Sequence, residues 1–124
     1  MFPLSATNIL RLLRAGFKQK SGSVTQITST TTAVTLNRLA GSITTVSSPL
    51  AAAGEEAFTV NNTEVASTDV VIVNIASTSS GGTPIAVCTR VANGSFQITV
   101  SNQHATAALD NTMVINFIVI CRDP

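Results

Sequence analysis

Charged side chains are scarce in this chain of 124 residues. Asp, Glu, Lys and Arg make up 10% of the residues. An ordinary soluble domain carries about 25%. The formal net charge of +1 excludes a general electrostatic attraction to nucleic acid. Because a surface with few charges is weakly solvated and favours association, we expect a component of an oligomer or a larger assembly, with no nucleic-acid partner.

Groups that perform chemistry are also few. His104 is the only histidine, so it has no second imidazole for a metal site, and its immediate neighbours carry no carboxylate. Glu55 and Glu56 are adjacent in a predicted strand, where successive side chains point to opposite faces. The remaining acidic residues are scattered without the spacing of a calcium loop. We therefore predict a protein that is not an enzyme and has no metal or cofactor site.

The chain has two cysteines, too few for a disulfide framework. Cys88 and Cys121 each lie in an apolar run, so each is predicted to be a buried free thiol, although a single bridge is compatible with the sequence. There is no apolar run of about 18 residues or more that would span a membrane. Residues 1–5 lack the basic start of a signal peptide, which favours synthesis and assembly in a cytoplasm.

β-Branched residues dominate what is present. Trp and Tyr are absent, and the apolar content is mainly Val, Ile, Leu and Ala, while Ser and Thr supply about a quarter of the chain. Val, Ile and Thr are β-branched and suit pleated sheets. Eight short runs separated by turn residues are predicted to be strands: 24–28, 33–37, 42–46, 56–61, 69–76, 85–92, 95–101 and 111–121. Asn93-Gly94 between two of them is a strong hairpin signal. The pattern predicts an all-β domain, an antiparallel sandwich or barrel.

The first residues follow a different pattern. Ser5 or Thr7 is suited to cap a helix, and apolar residues then recur at helical spacing. Basic residues fall largely on the other side. We predict an N-terminal helical arm over 1–22, closed by a hinge at Ser21-Gly22-Ser23, and a β domain over 23–124. The arm is expected to anchor the protein through Ile9, Leu10, Arg11, Leu12, Leu13, Arg14, Phe17 and Lys18.

Such an arm has three possible positions. It can dock on a neighbouring subunit, fold back onto its own domain, or lie on a membrane surface. One helix beside a small β domain has little core of its own to cover. Docking on another subunit is therefore favoured, and no membrane partner is expected.

The last strand is apolar on both faces. Met113, Ile115, Phe117, Val119 and Cys121 alternate with residues of the other face, which is also apolar except for an asparagine. The strand after Asp69 is similar. A small two-layer protein buries only one face of each strand, so the second face needs a partner, which could be the N-terminal helix or another copy of the chain. We predict an oligomer interface formed by Val114, Asn116, Ile118 and Ile120.

Residues 21–121, about four-fifths of the chain, resemble a small β module of tailed-bacteriophage virion proteins. The stretches that carry the resemblance are GSVTQ at 22–26, TAVTLN at 32–37, GSIT at 41–44, AAG at 52–54, FTVN at 58–61, DVVIVN at 69–74 and VINF at 114–117. The resemblance implies a jelly-roll-like domain that forms homotrimers and serves as a capsid decoration or cement protein, in contact with the major capsid protein. It implies a location on the virion, at the capsid surface.

Two other functions remain open. The first is a head-fibre or tail-fibre module that binds a host receptor through the loop at 77–83 or the loop around His104, although the absence of Trp and Tyr disfavours carbohydrate stacking. The second is a small hydrolase that depends on His104.

Overall fold

The computed structural model describes residues 20–122, which form eight β-strands and no helix. Residues 1–19 of the predicted helical arm, which include its anchoring residues, numbers 9–18, lie outside the described residues. The strands are β1 (Ser21–Thr25), β2 (Val34–Thr35), β3 (Ala40–Thr44), β4 (Glu55–Asn61), β5 (Val70–Thr78), β6 (Pro84–Ala92), β7 (Ser95–Asn102) and β8 (Met113–Ile120).

Each of the eight predicted strands matches one of these, with ends that coincide or differ by at most three residues. The largest difference is at β1, which begins at Ser21. The predicted hinge is therefore wrong: Ser21, Gly22 and Ser23 pair in register with Ala40, Gly41 and Ser42 of β3. The physical reason is that β3 offers them a complete ladder of backbone partners, which outweighs the turn propensity of Ser and Gly.

The strands form two four-stranded sheets. The first sheet has the order β1-β3-β8-β5 and the second has the order β2-β4-β7-β6. β1 pairs with β3, and β2 with β4, in parallel, so the prediction of an antiparallel fold is wrong for these two pairs and correct for the other four. A parallel pair needs a crossover. Here each crossover passes through a strand of the opposite sheet.

The inner faces of both sheets meet in one hydrophobic core. Phe96 of β7 lies against Phe117 of β8, with ring centroids 5.1 Å apart and ring planes tilted by 60°, a favourable arrangement for aromatic rings. Residues of β2, β3, β4, β6, β7 and β8 are buried in this core. The fully buried residues with the largest side chains include Ile43, Val60, Phe96, Ile98, Val100, Met113, Ile115 and Val119.

A pair of glycines lets the Leu36 side chain lie close to the backbone of the first sheet. Gly22 and Gly41 are register partners on neighbouring strands. A Cβ atom added to Gly41 would lie 2.5 Å from Leu36 Cδ2 and 3.0 Å from Phe117 Cε1. A Cβ on Gly22 would lie 2.9 Å from Leu36 Cδ1. The Leu36 side chain thus occupies the space that two side chains would otherwise fill.

The predicted hairpin at Asn93-Gly94 is confirmed, since Ala92 and Ser95 are register partners on either side of it. Gly94 has a φ of 84°, a conformation that costs glycine little. The turn also secures a neighbouring loop: Gly94 N donates to Val65 O at 2.9 Å, and the Asn93 side-chain oxygen accepts from Ser67 N at 2.8 Å.

Both cysteines are free thiols. Cys88 is half-buried and Cys121 is exposed, so the prediction of two buried thiols is wrong. Cys121 lies one residue beyond the end of β8, past the last register pair of β8 with β5, which joins Ile120 and Val70. No helix within residues 20–122 is long and apolar enough to cross a membrane.

Candidate subunit interface

The outer face of the first sheet contains the four residues predicted as an oligomer interface. In β8, Met113, Ile115, Phe117 and Val119 are buried, and the alternate positions point outward. Of the outward residues, Val114, Asn116 and Ile118 are half-buried and Ile120 is 45% exposed. The alternation follows from the two-residue period of a strand.

Strand β5 extends this apolar face beside β8. Val70 is opposite Ile120 in the sheet, and Ile72 is opposite Ile118. The side chains of Val70 and Ile72 are 43% and 51% exposed. Neither was among the predicted interface residues, although the continuous apolar run of β5 already indicated that both of its faces are apolar. These four residues form what we call the apolar patch: Val70, Ile72, Ile118 and Ile120.

A row of small polar side chains borders the apolar patch. Asn116 is flanked in register by Ser42 of β3 and Asn74 of β5, and Ser42 is flanked by Ser23 of β1. The Ser42 hydroxyl donates to the Asn116 side-chain oxygen at 2.7 Å. We call Ser23, Ser42, Asn116 and Asn74 the polar row. It crosses all four strands of the sheet.

The outer face of the first sheet has no formal charge at any of its strand positions. In β1, β3, β8 and β5 these positions hold only Ser, Thr, Ala, Val, Asn and Ile. Arg122 lies beyond the end of β8, where its Nε donates to Thr68 O at 3.1 Å. An uncharged face can meet another copy of itself without like-charge repulsion.

The outer face of the second sheet differs in chemistry. Its central strand β7 presents Ser95, Gln97, Thr99 and Ser101 outward, all half-buried. The Thr99 hydroxyl lies 2.8 Å from the Thr89 hydroxyl. The exposed large apolar side chains on this face belong to the edge strand β6, where Ile85 and Val87 are each 47% exposed. The sequence pattern did not indicate that these two residues lie at the surface.

The His104 side chain accepts hydrogen bonds from the backbone of the turn that follows it. Its Nδ1 atom accepts hydrogen bonds from Thr106 N at 3.1 Å and Ala107 N at 2.9 Å. The side chain therefore holds the turn that follows it. Glu55 is exposed, whereas Glu56 accepts from the hydroxyls of Thr30 at 2.6 Å and Ser48 at 2.9 Å. Within residues 20–122, no three His, Cys, Asp or Glu side chains are grouped closely enough to hold a metal ion.

The two loops considered for receptor binding lie at the same end of the molecule. The Asn102 side-chain oxygen accepts from Thr83 N and His104 N, each at 3.1 Å. Asp110 accepts from Gly81 N at 2.9 Å. A fully buried amide and an exposed carboxylate thus tie the loop at 79–83 to the loop at 103–112.

Two clefts lie elsewhere on the surface. One, of about 270 Å³, is lined by Lys20, Asn37, Arg38, Leu39 and Glu64. The other, of about 180 Å³, lies on the outer face of the second sheet and includes Arg90 and Gln97. Both are shallow, and neither includes a residue of the apolar patch or the polar row.

Comparison with known proteins adds no relative: the chain matches no protein-family model, no curated protein and no solved structure.

Proposed function

We propose that this protein is a structural component of a tailed-bacteriophage virion, a capsid decoration or cement protein without enzymatic activity. In this proposal, copies associate through the outer face of the first sheet, as a homotrimer, and attach to the major capsid protein at the capsid surface. The observation that carries the proposal is the uncharged apolar patch, where Val70, Ile72 and Ile120 are exposed within the described residues 20–122, on the side of the first sheet that faces away from the hydrophobic core.

We also propose that the two sheets form a jelly-roll-like sandwich. Support comes from the path of the chain, which passes to the opposite sheet after each described strand except β6, where the β6–β7 hairpin stays within one sheet. Such winding is typical of jelly rolls. The parallel pairs β1–β3 and β2–β4 are the departure from that pattern.

The energetics of the apolar patch favour association. Burying apolar surface contributes about 25 cal/mol per Å², less the cost of ordering the partners. Isolated exposed aliphatic residues are normal on a monomer, but here three of them and the half-buried Ile118 are contiguous on two paired strands. Removing them from water is the driving force that we assign to oligomer formation.

Attachment to the capsid is assigned to the N-terminal segment. Its apolar residues Ile9, Leu10, Leu12, Leu13 and Phe17 would bury themselves between capsid subunits, while Arg11, Arg14 and Lys18 would pair with acidic capsid groups. Several arms on one oligomer would bind together, which multiplies the affinity through effective concentration.

The first experiment measures the mass of the purified chain by light scattering and introduces a charge into the apolar patch. Ile72→Glu should convert the oligomer to a folded monomer, because the interface would bury an unpaired carboxylate. The matched control is Val87→Glu, an equally exposed edge-strand residue of the second sheet, which should stay oligomeric. An oligomer that survives Ile72→Glu but not Val87→Glu would move the interface to the other sheet.

The second experiment removes residues 1–19, which precede β1. We expect a folded oligomer that no longer binds expanded phage heads, measured by co-sedimentation. The double substitution Leu10→Asp with Leu13→Asp in the full chain serves as the matched test of the apolar residues. Normal decoration of heads by both variants would show that the segment is not the anchor.

A receptor-binding fibre module is the second candidate. The observation that favours it is the clustering of the 79–83 and 103–112 loops around Asn102, since binding residues commonly lie on loops held by a rigid scaffold. A glycan array and a cell-binding assay with host cells test it. Clear binding that is lost when residues 79–82 are replaced would place this function ahead of decoration.

A further inference from the structure

We propose that Asn116 lies at the symmetry axis of the homo-oligomer and that the polar row selects one alignment of the copies. The occupant of the outer face of the first sheet is thus a second copy of this chain. The inference rests on the oligomer proposed above and adds to it the position of the axis and the group that specifies it.

Asn116 has a central position on the outer face of the first sheet. It lies on β8, one of the two inner strands of the sheet, between the outward residues Val114 and Ile118. Asn74 and Ser42 flank it on the neighbouring strands. An amide is therefore placed near the middle of a face whose other outward β8 residues are aliphatic.

The chemistry of the polar row favours a copy of itself as the partner. A residue on a symmetry axis meets its own equivalent, so it must be complementary to itself. A carboxylate or an ammonium group fails this requirement through repulsion. An amide meets it, because it has both donor and acceptor groups. Asn116 can donate to the Asn116 oxygen of the next copy in a pair or in a closed ring of three.

The hydrogen bonds within one chain leave this capacity available. Asn116 uses its side-chain oxygen for the Ser42 hydroxyl, and that oxygen retains a second lone pair. Among the residues that the structure describes, Asn74 makes one side-chain bond, a long one of 3.5 Å from its Nδ2 to Ile75 O. Both amides have donor groups to offer a partner.

The polar row would act mainly on alignment. Aliphatic contacts between two apolar patches tolerate sliding, because hydrophobic association is non-directional. Any alignment that separates the polar rows would bury amides without partners, which is costly. A single buried asparagine has this effect in coiled coils, where it sets register and oligomer state at a cost in stability.

The first test is cross-linking in the full chain. Asn116→Cys is introduced after Cys88→Ser and Cys121→Ser, and the protein is treated with a short bis-maleimide cross-linker. Sheets that pack face to face lie about 10 Å apart, beyond the Cα separation that a disulfide spans, so we expect the cross-linker to join equivalent residues at the axis into a covalent dimer. Asn61→Cys, an exposed residue on the outer face of the second sheet, is the control and should stay uncross-linked. Equal cross-linking of both variants, or none at Asn116→Cys in a proven oligomer, would overturn the axis position.

The second test uses native mass spectrometry and dilution at neutral pH. Asn116→Asp should weaken association by about tenfold or more, since like charges would meet at the axis, and Asn61→Asp should not. Asn116→Val should associate at least as tightly as the natural chain but in more than one stoichiometry. One unchanged stoichiometry for Asn116→Val would rule out the role in alignment. If the natural chain is monomeric at all concentrations, the proposed function fails first, and this outcome is distinct from the failure of these variants.

Discussion

At the scale of single residues, buried amides hold the loops to the two sheets. Asn102 is 1% exposed. Its oxygen accepts from Thr83 N and His104 N, and its nitrogen donates to Ala107 O at 2.9 Å. The Leu50 and Ala51 oxygens lie within 3.3 Å of the same nitrogen. One side chain thus satisfies backbone groups of three separate loops that would otherwise be buried without partners.

Replacement of Asn102 by alanine is therefore expected to destabilise the protein by about 2–3 kcal/mol, because several buried backbone groups lose their partners. Urea unfolding monitored by circular dichroism measures this change. Asn61→Ala, on the exposed side of β4, is the control and should change stability by less than about 0.5 kcal/mol. Equal effects of the two substitutions would contradict the assigned role of Asn102.

The two thiols are expected to differ in reactivity. Burial raises the pKa of the Cys88 thiol, more than its hydrogen bonds with Arg90 and Gln97 lower it, so less reactive thiolate is present at a given pH. Cys121 is exposed. Alkylation at pH 8 followed by peptide mass mapping should modify Cys121 first. Preferential labelling of Cys88 would contradict this environment.

The same raised pKa has a consequence for stability. The folded state favours the neutral Cys88 thiol. The contribution of this thiol to the free energy of unfolding is therefore complete below the pKa of a cysteine in the unfolded chain, about 8.5. It decreases as the pH rises through the higher folded-state pKa. Cys88→Ser should therefore reduce the loss of stability above that pH, measured as thermal unfolding from pH 7 to pH 10.

At the scale of elements, the close approach of Leu36 to the β1–β3 pair depends on two glycines. Gly41→Ala should cost about 1–3 kcal/mol, since its Cβ would overlap Leu36 and Phe117 in a packed core. Gly81→Ala is the control, because its nearest neighbouring atom would be 3.6 Å away.

A double-mutant cycle tests whether Leu36 is the cause. Leu36→Ala removes the methyl groups that the new Cβ would meet, so Gly41→Ala should cost less in that background. Additive effects in chemical denaturation would show that the strain arises elsewhere, at Phe117 or at the Gly22 carbonyl oxygen, which lie 3.0 and 3.1 Å from the added Cβ.

At the scale of the whole molecule, the two proposed contacts differ in their electrostatics. The outer face of the first sheet has no charged strand position, whereas the proposed anchor carries Arg11, Arg14 and Lys18. Salt screens interactions between charges and leaves apolar contacts intact. The two contacts should therefore respond differently to ionic strength.

Oligomer dissociation, measured by dilution in light scattering, should change little between 50 and 500 mM NaCl, values at which screening lengths differ by about threefold. Binding to phage heads should weaken over the same range. An oligomer that dissociates in salt would indicate charged groups in the interface and would contradict the assignment of the outer face of the first sheet.

Much of the fold could be predicted from local patterns. The short runs between turn residues correctly indicated all eight strands, and Asn93-Gly94 correctly marked a hairpin. The two-residue period of a strand placed Val114, Asn116, Ile118 and Ile120 together on one face of β8, as the structure has them. Local patterns failed where partners are distant in sequence: Ser21-Gly22-Ser23 has turn composition but pairs with β3, and Cys121 lies beyond the last pairing of β8.

By itself, the sequence determined that residues 20–122 are all-β, where most of their strands lie and which faces of those strands are apolar, because these properties follow from neighbouring residues two positions apart. Only the tertiary structure decided which strands share a sheet, that two pairs are parallel, and that Val70 and Ile72 join Ile118 and Ile120 in one patch. These outcomes depend on contacts between residues far apart in the chain, which no local pattern encodes.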